Sequence, residues 1–509
     1  MSGTDAFLQT IQSGYTFKGP AITFGVGILD GQPVPNAIIA APLSTINRHG
    51  LVAGATGTGK TKTLQRFAES LSSNGVSVFI MDIKGDVSGL AQPGTPNPKI
   101  DERHGHIGIA WNARPFPVEF LTLSGANGVK LRATVSEFGP VLFSKILQVN
   151  DTQESVIALI FKYCDDHSLP LLDLNDFKKT LQYLTNEGKE EIEKEYGAIS
   201  PSSTGAIMRR VIELEEQGAD IFFGERSFDV EDLVRTDSSG QGVISILRLN
   251  DLQQRPKLFS TFMLCLLAEI YEKFPEEGDV EKPKLVFIID EAHLIFEEAS
   301  GALLDQIETI IKLIRSKGVG VYFCTQNPVD IPAPILAQLG MKIQHALRAF
   351  TANDRKAIKL AAENYPLTDF YQVEDVLTTL GMGEAFVSVL NEKGIPTPLA
   401  HTLLCTPESR MDTITDGELQ AAISRSGLTS KYNEVIDRES AYEILNKKIE
   451  AAAKEEAEVE DKKKRDREKD EPSLIEQIGK NPIAKQITRD VTRELTRGLL
   501  GILGIKRRR

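Results

Sequence analysis

The run Gly54-Ala55-Thr56-Gly57-Thr58-Gly59-Lys60-Thr61 constrains this 509-residue chain more than any other feature. It fits G-x-x-x-x-G-K-[ST] in full. The apolar run Gly50-Leu51-Val52-Ala53 before it signals a buried strand, and Leu64, Phe67, Ala68 and Leu71 follow it at helical spacing. Strand, glycine loop and helix form the context in which such a loop cradles phosphate. The glycines let backbone N–H groups converge on phosphate oxygens with no Cβ in the way, and the helix N-terminus adds partial positive charge. Lys60 is expected to reach the β and γ phosphates of a nucleotide. Thr61 is expected to offer its hydroxyl to Mg2+, a hard ion that prefers octahedral oxygen coordination. Thr63 is counted with the cradle.

A second strand, Val76-Ser77-Val78-Phe79-Ile80-Met81-Asp82, completes a βαβ unit and ends in Ile83-Lys84-Gly85-Asp86. Further strands are expected at Gly242–Leu247, Lys284–Asp290 and Gly320–Gln326, separated by helical segments, and another at Glu384–Val389. The fold class is therefore α/β, with a mainly parallel sheet covered by helices on both faces. From Tyr15 to Thr45 short apolar runs broken by glycine and proline predict a small β subdomain. From about Val141 to Gly224 the periodicity is helical, as in Val156, Leu159, Ile160 and Tyr163, and predicts an inserted helical subdomain.

In Leu285-Val286-Phe287-Ile288-Ile289-Asp290-Glu291 a continuous apolar run delivers two carboxylates to the carboxyl end of a buried strand, where ligands bind in such sheets. Asp290 suits the outer shell of Mg2+, and Glu291 is placed to polarise an attacking water. Together with the glycine loop these residues predict Mg2+-dependent hydrolysis of ATP. Gln326, ending the strand Val321–Thr325, is either a sensor of the γ phosphate or a polar strand cap. Asp82 and Lys84 lie beside the loop or in a surface turn. Arg315 and Arg348 are both candidates for an arginine donated to a neighbouring subunit's site, and both could equally serve in surface or intrachain ion pairs.

The quoted segments Asn47-Arg48-His49-Gly50-Leu51-Val52-Ala53 before GATGTGKT, MDIKGD, FIIDEAH and RSKGVGVYFCTQNP, in this order and spacing, resemble the HerA/FtsK-like P-loop ATPases, and among them the bacterial HerA-like branch. The resemblance runs from about Tyr15 to about Thr406. It implies a RecA-like core assembled as a homohexameric ring, with ATP bound between subunits and double-stranded DNA threaded through the centre. It assigns Lys60, Thr61, Asp290, Glu291 and Gln326 the roles given above and makes Arg315 the better candidate for the arginine acting in trans. DEAH also marks superfamily 2 helicases, but the Ser-Ala-Thr and Gln/Arg-rich motifs that accompany it there are not found.

Net charge is −13 and the pI about 5.3, so the whole-molecule field repels nucleic acid and any DNA contact must be local. The acidic balance keeps open a second class of function, an ATP-regulated ring or scaffold acting on a protein partner. Cys164, Cys265, Cys324 and Cys405 are far apart in apolar surroundings and read as reduced core residues. With no run of about 18 apolar residues and no leader-like start, a cytoplasmic protein is expected.

The expected organisation is a β-rich segment at 1–46, the first part of the ATPase core at 47–140, the helical insertion at 141–240 and the second part of the core at 241–410. A helical extension at 411–442, a charged linker or helix at 443–471 and a basic amphipathic tail at 472–509 complete it. The tail places Ile483, Ile487, Val491, Leu495 and Leu499 four apart, with Lys485, Arg489, Arg493 and Arg497 as a parallel basic row. It carries nine Lys or Arg against three Asp or Glu, which leaves −19 on the rest of the chain. Docking on its own ring or a partner, peripheral contact with anionic lipid, and DNA contact through Arg507-Arg508-Arg509 are the three readings of this tail.

Overall fold

The computed structural model describes residues 3–469, apart from 124–126, 250–255, 279, 297–300, 435 and 437. Twelve strands form one sheet: β1 (Ala21–Leu29), β2 (Gln32–Pro42), β3 (Gly50–Ala53), β4 (Ser77–Asp82), β5 (Val118–Thr122), β6 (Val129–Lys130), β7 (Ile244–Arg248), β8 (Leu285–Ile289), β9 (Val319–Thr325), β10 (Met341–Gln344), β11 (Glu384–Ser388) and β12 (Ala400–Leu404). Their order is β2-β1-β12-β11-β10-β3-β9-β8-β4-β7-β5-β6. From β10 to β6 every neighbouring pair is parallel, while β10, β11, β12, β1 and β2 are joined antiparallel.

The centre of this sheet follows from composition. All residues of β3, β4, β8 and β9 are buried, as strands covered on both faces must be. The helix Lys60–Ser73 turns Leu64, Phe67, Ala68 and Leu71 onto the sheet, and Phe67 meets Tyr322 of β9 with ring centroids 4.7 Å apart. Register then decides where the chemistry lies. Met81 of β4 pairs with Ile289 of β8, so Asp82 and Asp290 leave the sheet side by side. Ala53 of β3 pairs with Thr325 of β9, so the glycine loop and Gln326 do the same.

The segment expected as a small β subdomain is instead part of the core. β1 pairs with β12 on one edge and β2 on the other and so extends the same sheet, which satisfies the backbone groups of a largely buried strand. The helix Gly3–Tyr15 covers it with Phe7, Ile11 and Tyr15, spaced four apart, and Tyr15 Oη donates to Pro398 O at 2.7 Å.

Between β6 and β7 the helices Val135–Leu147, Asp151–Asp166, Leu174–Thr185, Lys189–Glu195 and Pro201–Glu216 form the insertion. Four of them start at side-chain caps, Thr134, Asn150, Asp173 and Ser200, and they bury Phe143, Phe161 and Phe177 against one another. All four cysteines are free and buried. Among the described residues no helix is long and apolar enough to cross a membrane.

The chain divides into two compact units, Met1–Tyr442 and Glu443–Arg509. In the second, the helix Ala441–Lys469 continues with the interleaved charges of the expected linker. The basic amphipathic tail at 472–509 lies outside the described residues.

Candidate functional site at the carboxyl edge of the sheet

The loop between β3 and the helix Lys60–Ser73 is built on left-handed glycines: Gly54, Gly57 and Gly59 have φ of 152°, 79° and 111°. At Gly54 a Cβ would also lie 2.5 Å from the Cβ of His345, so glycine is required twice over. Thr58 Oγ1 donates to Ala55 O at 2.7 Å and closes the loop, whose outer residues Thr56 and Gly57 are exposed. Lys60 is buried and donates to the loop's own carbonyls, Gly54 O at 2.6 Å and Ala55 O at 3.2 Å. Its ammonium is thus folded back inside the cradle whose amides would meet phosphate. Thr63 is not part of that surface: its hydroxyl is buried beneath the loop and bonds His345 Nε2 at 2.9 Å.

Three carboxylates converge next to the loop. Asp82, Asp86 and Asp290 each offer an oxygen within 4.8 Å of the others, an arrangement able to hold a metal ion. Thr61 Oγ1 donates to Asp86 Oδ2 at 3.1 Å, and Asp86 Oδ1 is buried without a hydrogen-bond partner. Asp82 accepts from Gly85 N at 2.7 Å, yet burial, reinforced by Asp86 and Asp290, pushes its carboxyl up to about 7. Burial and the neighbouring Glu291 also raise Asp290, against the lowering effect of a hydrogen bond with Cys324. Crowded, buried carboxylates with one orphaned oxygen fit a divalent cation, which would cancel their mutual repulsion.

Glu291 follows in the left-handed region, φ 47°, which is rare for a residue with a Cβ and redirects its side chain toward the end of β4. Its carboxylate is buried, forms an ion pair with Lys84 and lies 3.2 Å from His293 Nδ1. Burial disfavours the Lys84 ammonium, but Glu291, Asp290 and Asp86 outweigh it and hold the group above its ordinary value. Gln326 stands exposed at the end of β9, between the glycine loop of β3 and the acids of β8. The turn after it is fixed by Asp330 Oδ2, which accepts from Thr325 Oγ1 at 2.7 Å and Asn327 N at 3.0 Å.

Arg315 is not at this edge. It precedes β9, so it belongs to the opposite, amino edge of the sheet, where with Arg48, Lys312 and Lys342 it lines a cleft of about 630 Å³. Arg348 is exposed and donates to Thr378 O at 3.1 Å.

Two residues with a place here were not assigned from sequence, Asp86 and His345. Asp86 was legible in principle, since β4 is a parallel neighbour of β8 and its DIKGD end must meet the Asp290-Glu291 end. His345 was not, because it reaches the loop only through the pairing of β10 with β3. It is fully buried, and burial together with the Lys60 charge lowers it to about 4, so the ring is neutral.

A mostly parallel sheet with a glycine loop and two acidic strand ends at one edge defines a RecA-like P-loop fold. The model of the family described as "Helicase HerA-like C-terminal" matches residues 29–508, and the chain belongs to that family. It is similar to the DNA double-strand break repair helicase HerA of Sulfolobus acidocaldarius, 23% identical over 380 residues that cover 71% of this chain; it spans 66% of that relative's length. Among solved structures, the fold is similar to the bacterial conjugative coupling protein TrwBdeltaN70, with a TM-score of 0.51 at 14% identity over 80% of this chain and 92% of that one. TrwB in complex with a non-hydrolysable ATP analogue superposes with the same TM-score at 14% identity over 79% of this chain and 92% of that one.

Proposed function

We propose that the chain is a Mg2+-dependent ATPase that assembles as a homohexameric ring and couples hydrolysis to movement along double-stranded DNA. One observation carries the ring: the glycine loop, the acids and Gln326 share the carboxyl edge, while the cations Arg315, Arg48, Lys312 and Lys342 line a cleft at the amino edge. A ring that stacks one edge on the next copy's opposite edge brings the two halves together. Membership of the HerA-like family and similarity to the Sulfolobus DNA double-strand break repair helicase support DNA as the substrate.

In this reading Lys60 leaves the carbonyls of Gly54 and Ala55 for the β and γ phosphate oxygens, and the loop amides hold the remainder. Thr61, Asp290 and Asp86 would hold Mg2+, whose charge would neutralise the developing charge on the phosphates. Glu291 takes a proton from the water whose oxygen bonds to the γ phosphorus as the bond to the bridging oxygen breaks, and Gln326 orients that water by its amide. Arg315 of the next copy stabilises the transferred phosphoryl.

The test is the ATPase rate and particle symmetry at low salt, with and without duplex DNA, for wild type and Glu291→Gln. Retained hydrolysis by Glu291→Gln would overturn the mechanism. Hydrolysis with neither binding to DNA nor motion on it would overturn the translocase. The charge of −13 favours one alternative, a ring acting on a protein partner, and a stoichiometric partner recovered after nuclease treatment would establish it.

A further inference from the structure

Phe350 is the only exposed phenylalanine among the described residues, with 88% of its surface facing solvent. It ends the segment that leaves the carboxyl end of β10, and that segment is tied at both ends. Leu347 N donates to Leu377 O at 2.9 Å, and Phe350 N donates to Asp354 Oδ2 at 2.8 Å. Phe350 stands just before Thr351, the cap of the helix Ala352–Glu363. An apolar residue in this place ordinarily packs on the fourth residue of the helix, but that residue is Arg355, so the phenyl group has no apolar partner there. A large aromatic group on a backbone already fixed loses little freedom when it is covered, which suits it to anchor a protein interface.

The opposite, amino edge has an apolar lip beside its cations. Tyr365, Pro366, Leu390 and Pro396 line the same cleft of about 630 Å³ as Arg315. Leu367 and Ile395, next in sequence to the two prolines, are exposed. Both sides of the lip are held: Tyr365 Oη donates to Gln344 Oε1 at 3.1 Å, and Asn391 N donates to Ile395 O at 2.9 Å across a tight turn. Sheet order puts anchor and lip in one register, because β9, β3 and β10 are consecutive neighbours. Placing the next copy's Arg315, which precedes β9, over the loop that follows β3 shifts that copy by one strand. The amino ends of its β3 and β10 then lie over the segment that follows β10. His49 and Gly340, which lead into those two strands, both line the cleft.

We propose that Phe350 of one copy seats in the amino-edge cleft of the next, against Leu367 and Ile395, and that this contact sets the head-to-tail register of the ring. This rests on the ring reading of the proposed function. The cleft presents four cations, Arg48, Lys312, Arg315 and Lys342, against one acid, Glu363, so it also complements the edge at which Asp82, Asp86 and Asp290 gather. The occupant is a second copy rather than duplex DNA, because the charged backbone of a duplex offers nothing apolar to Phe350, Leu367 and Ile395.

Mass photometry of the full chain with Mg2+ and a non-hydrolysable ATP analogue reads the assembly. Phe350→Ala is expected to weaken subunit association roughly thirtyfold, as for loss of an interface anchor, and to keep the far-ultraviolet circular dichroism of wild type. Phe350→Lys and Leu367→Glu are each expected to dissociate. Mixed in equal amounts they are expected to reassemble, because an alternating ring sets each new cation over a new carboxylate and leaves every other interface native. A bismaleimide added to the double variant Phe350→Cys with Ile395→Cys is expected to give a ladder of linked chains on a denaturing gel. The four native cysteines are buried, and the two substituted positions lie at opposite edges of their own chain, so only neighbouring copies can be joined. If Phe350→Ala assembles at the wild-type concentration, or the assembled cysteine pair gives no ladder, the seat is wrong while the ring stands. Loss of DNA binding by Phe350→Ala in an intact assembly overturns it in the same way, by placing the phenyl group on the duplex. A wild-type chain that stays single under these conditions overturns the ring itself.

Discussion

Thr61 Oγ1 donates to Asp86 Oδ2 at 3.1 Å, while the other oxygen of that carboxylate is buried with no partner. A threonine already oriented by an acid, with a second acid lone pair facing the same space, is a cation site prepared from two strands. Asp86→Asn removes the charge and keeps the shape. The Mg2+ concentration for half-maximal hydrolysis is expected to rise roughly tenfold in this variant, within the range seen when groups supporting a metal are altered. A Mg2+ titration of the ATPase reads this directly, and an unchanged midpoint would remove Asp86 from the site.

Glu69, on the helix that the glycine loop opens, is fully buried and accepts from Ser409 N at 2.9 Å, Ser409 Oγ at 2.5 Å and Glu408 N at 2.9 Å. Arg66 lies 3.3 Å from the same carboxylate and 2.8 Å from Glu408. This network straps the chain beyond β12 onto the phosphate-binding helix, together with Lys62, which donates to Met411 O. Glu69→Ala leaves Ser409 N, Ser409 Oγ and Glu408 N without their acceptor, while Arg66 keeps Glu408, and is expected to cost about 3–5 kcal/mol. Glu69→Gln should cost less, since it keeps an acceptor. Denaturant midpoints of the two variants, compared with wild type, measure both.

The parts legible in the sequence were those in which one local run determines the outcome. GLVA before GATGTGKT, and LVFII before Asp290-Glu291, fix both identity and direction, because an apolar run ending in charge has to be a buried strand opening on a ligand edge. β6 and β10 escaped notice because two or four residues are too few to show a period, and they exist only through their neighbours. β1 and β2 were seen as strands but not as members of the core, since pairing between residues some 380 positions apart, as Gly25 with Leu404, leaves no local mark. Thr63 was misplaced for a similar reason: its neighbours in sequence face phosphate, but the helix turns its hydroxyl inward to His345.

His49 gives a prediction about pH. Val321 N donates to its Nδ1 at 3.0 Å, so Nε2 carries the proton and donates to Ile311 O at 2.8 Å. Burial is the main reason its pKa is lowered to about 4, with the Arg315 charge adding to it. An imidazole whose folded pKa lies below its unfolded value near 6.5 gives stability that is full above that value and is lost as pH falls toward 4. His345 is lowered to about 4 as well. Each is expected to withdraw roughly 2 kcal/mol by pH 5. Together they withdraw about 4 kcal/mol, which Asp82, raised to about 7, partly offsets as it takes up its proton, so urea unfolding at pH 7.5 and 5 should show a net fall that is smaller in His49→Gln.

Arg315 is the residue on which the proposed ring depends, because within its own chain it lies at the edge opposite the glycine loop and cannot be the same subunit's phosphoryl ligand without moving across the sheet. Two variants separate the possibilities. Lys60→Ala removes the cradle's cation, and Arg315→Ala removes the arginine, with a loss in rate expected to be about a thousandfold. Each alone should be nearly inactive. Mixed in equal amounts and allowed to reassemble, about a quarter of the interfaces pair an intact cradle from one subunit with an intact arginine from the next, if the ring is closed and head to tail. Recovery of activity to that order means that the site spans two copies. If Arg315 acted on its own subunit, no mixture could contain a complete site, and the activity would stay at the level of the separate variants.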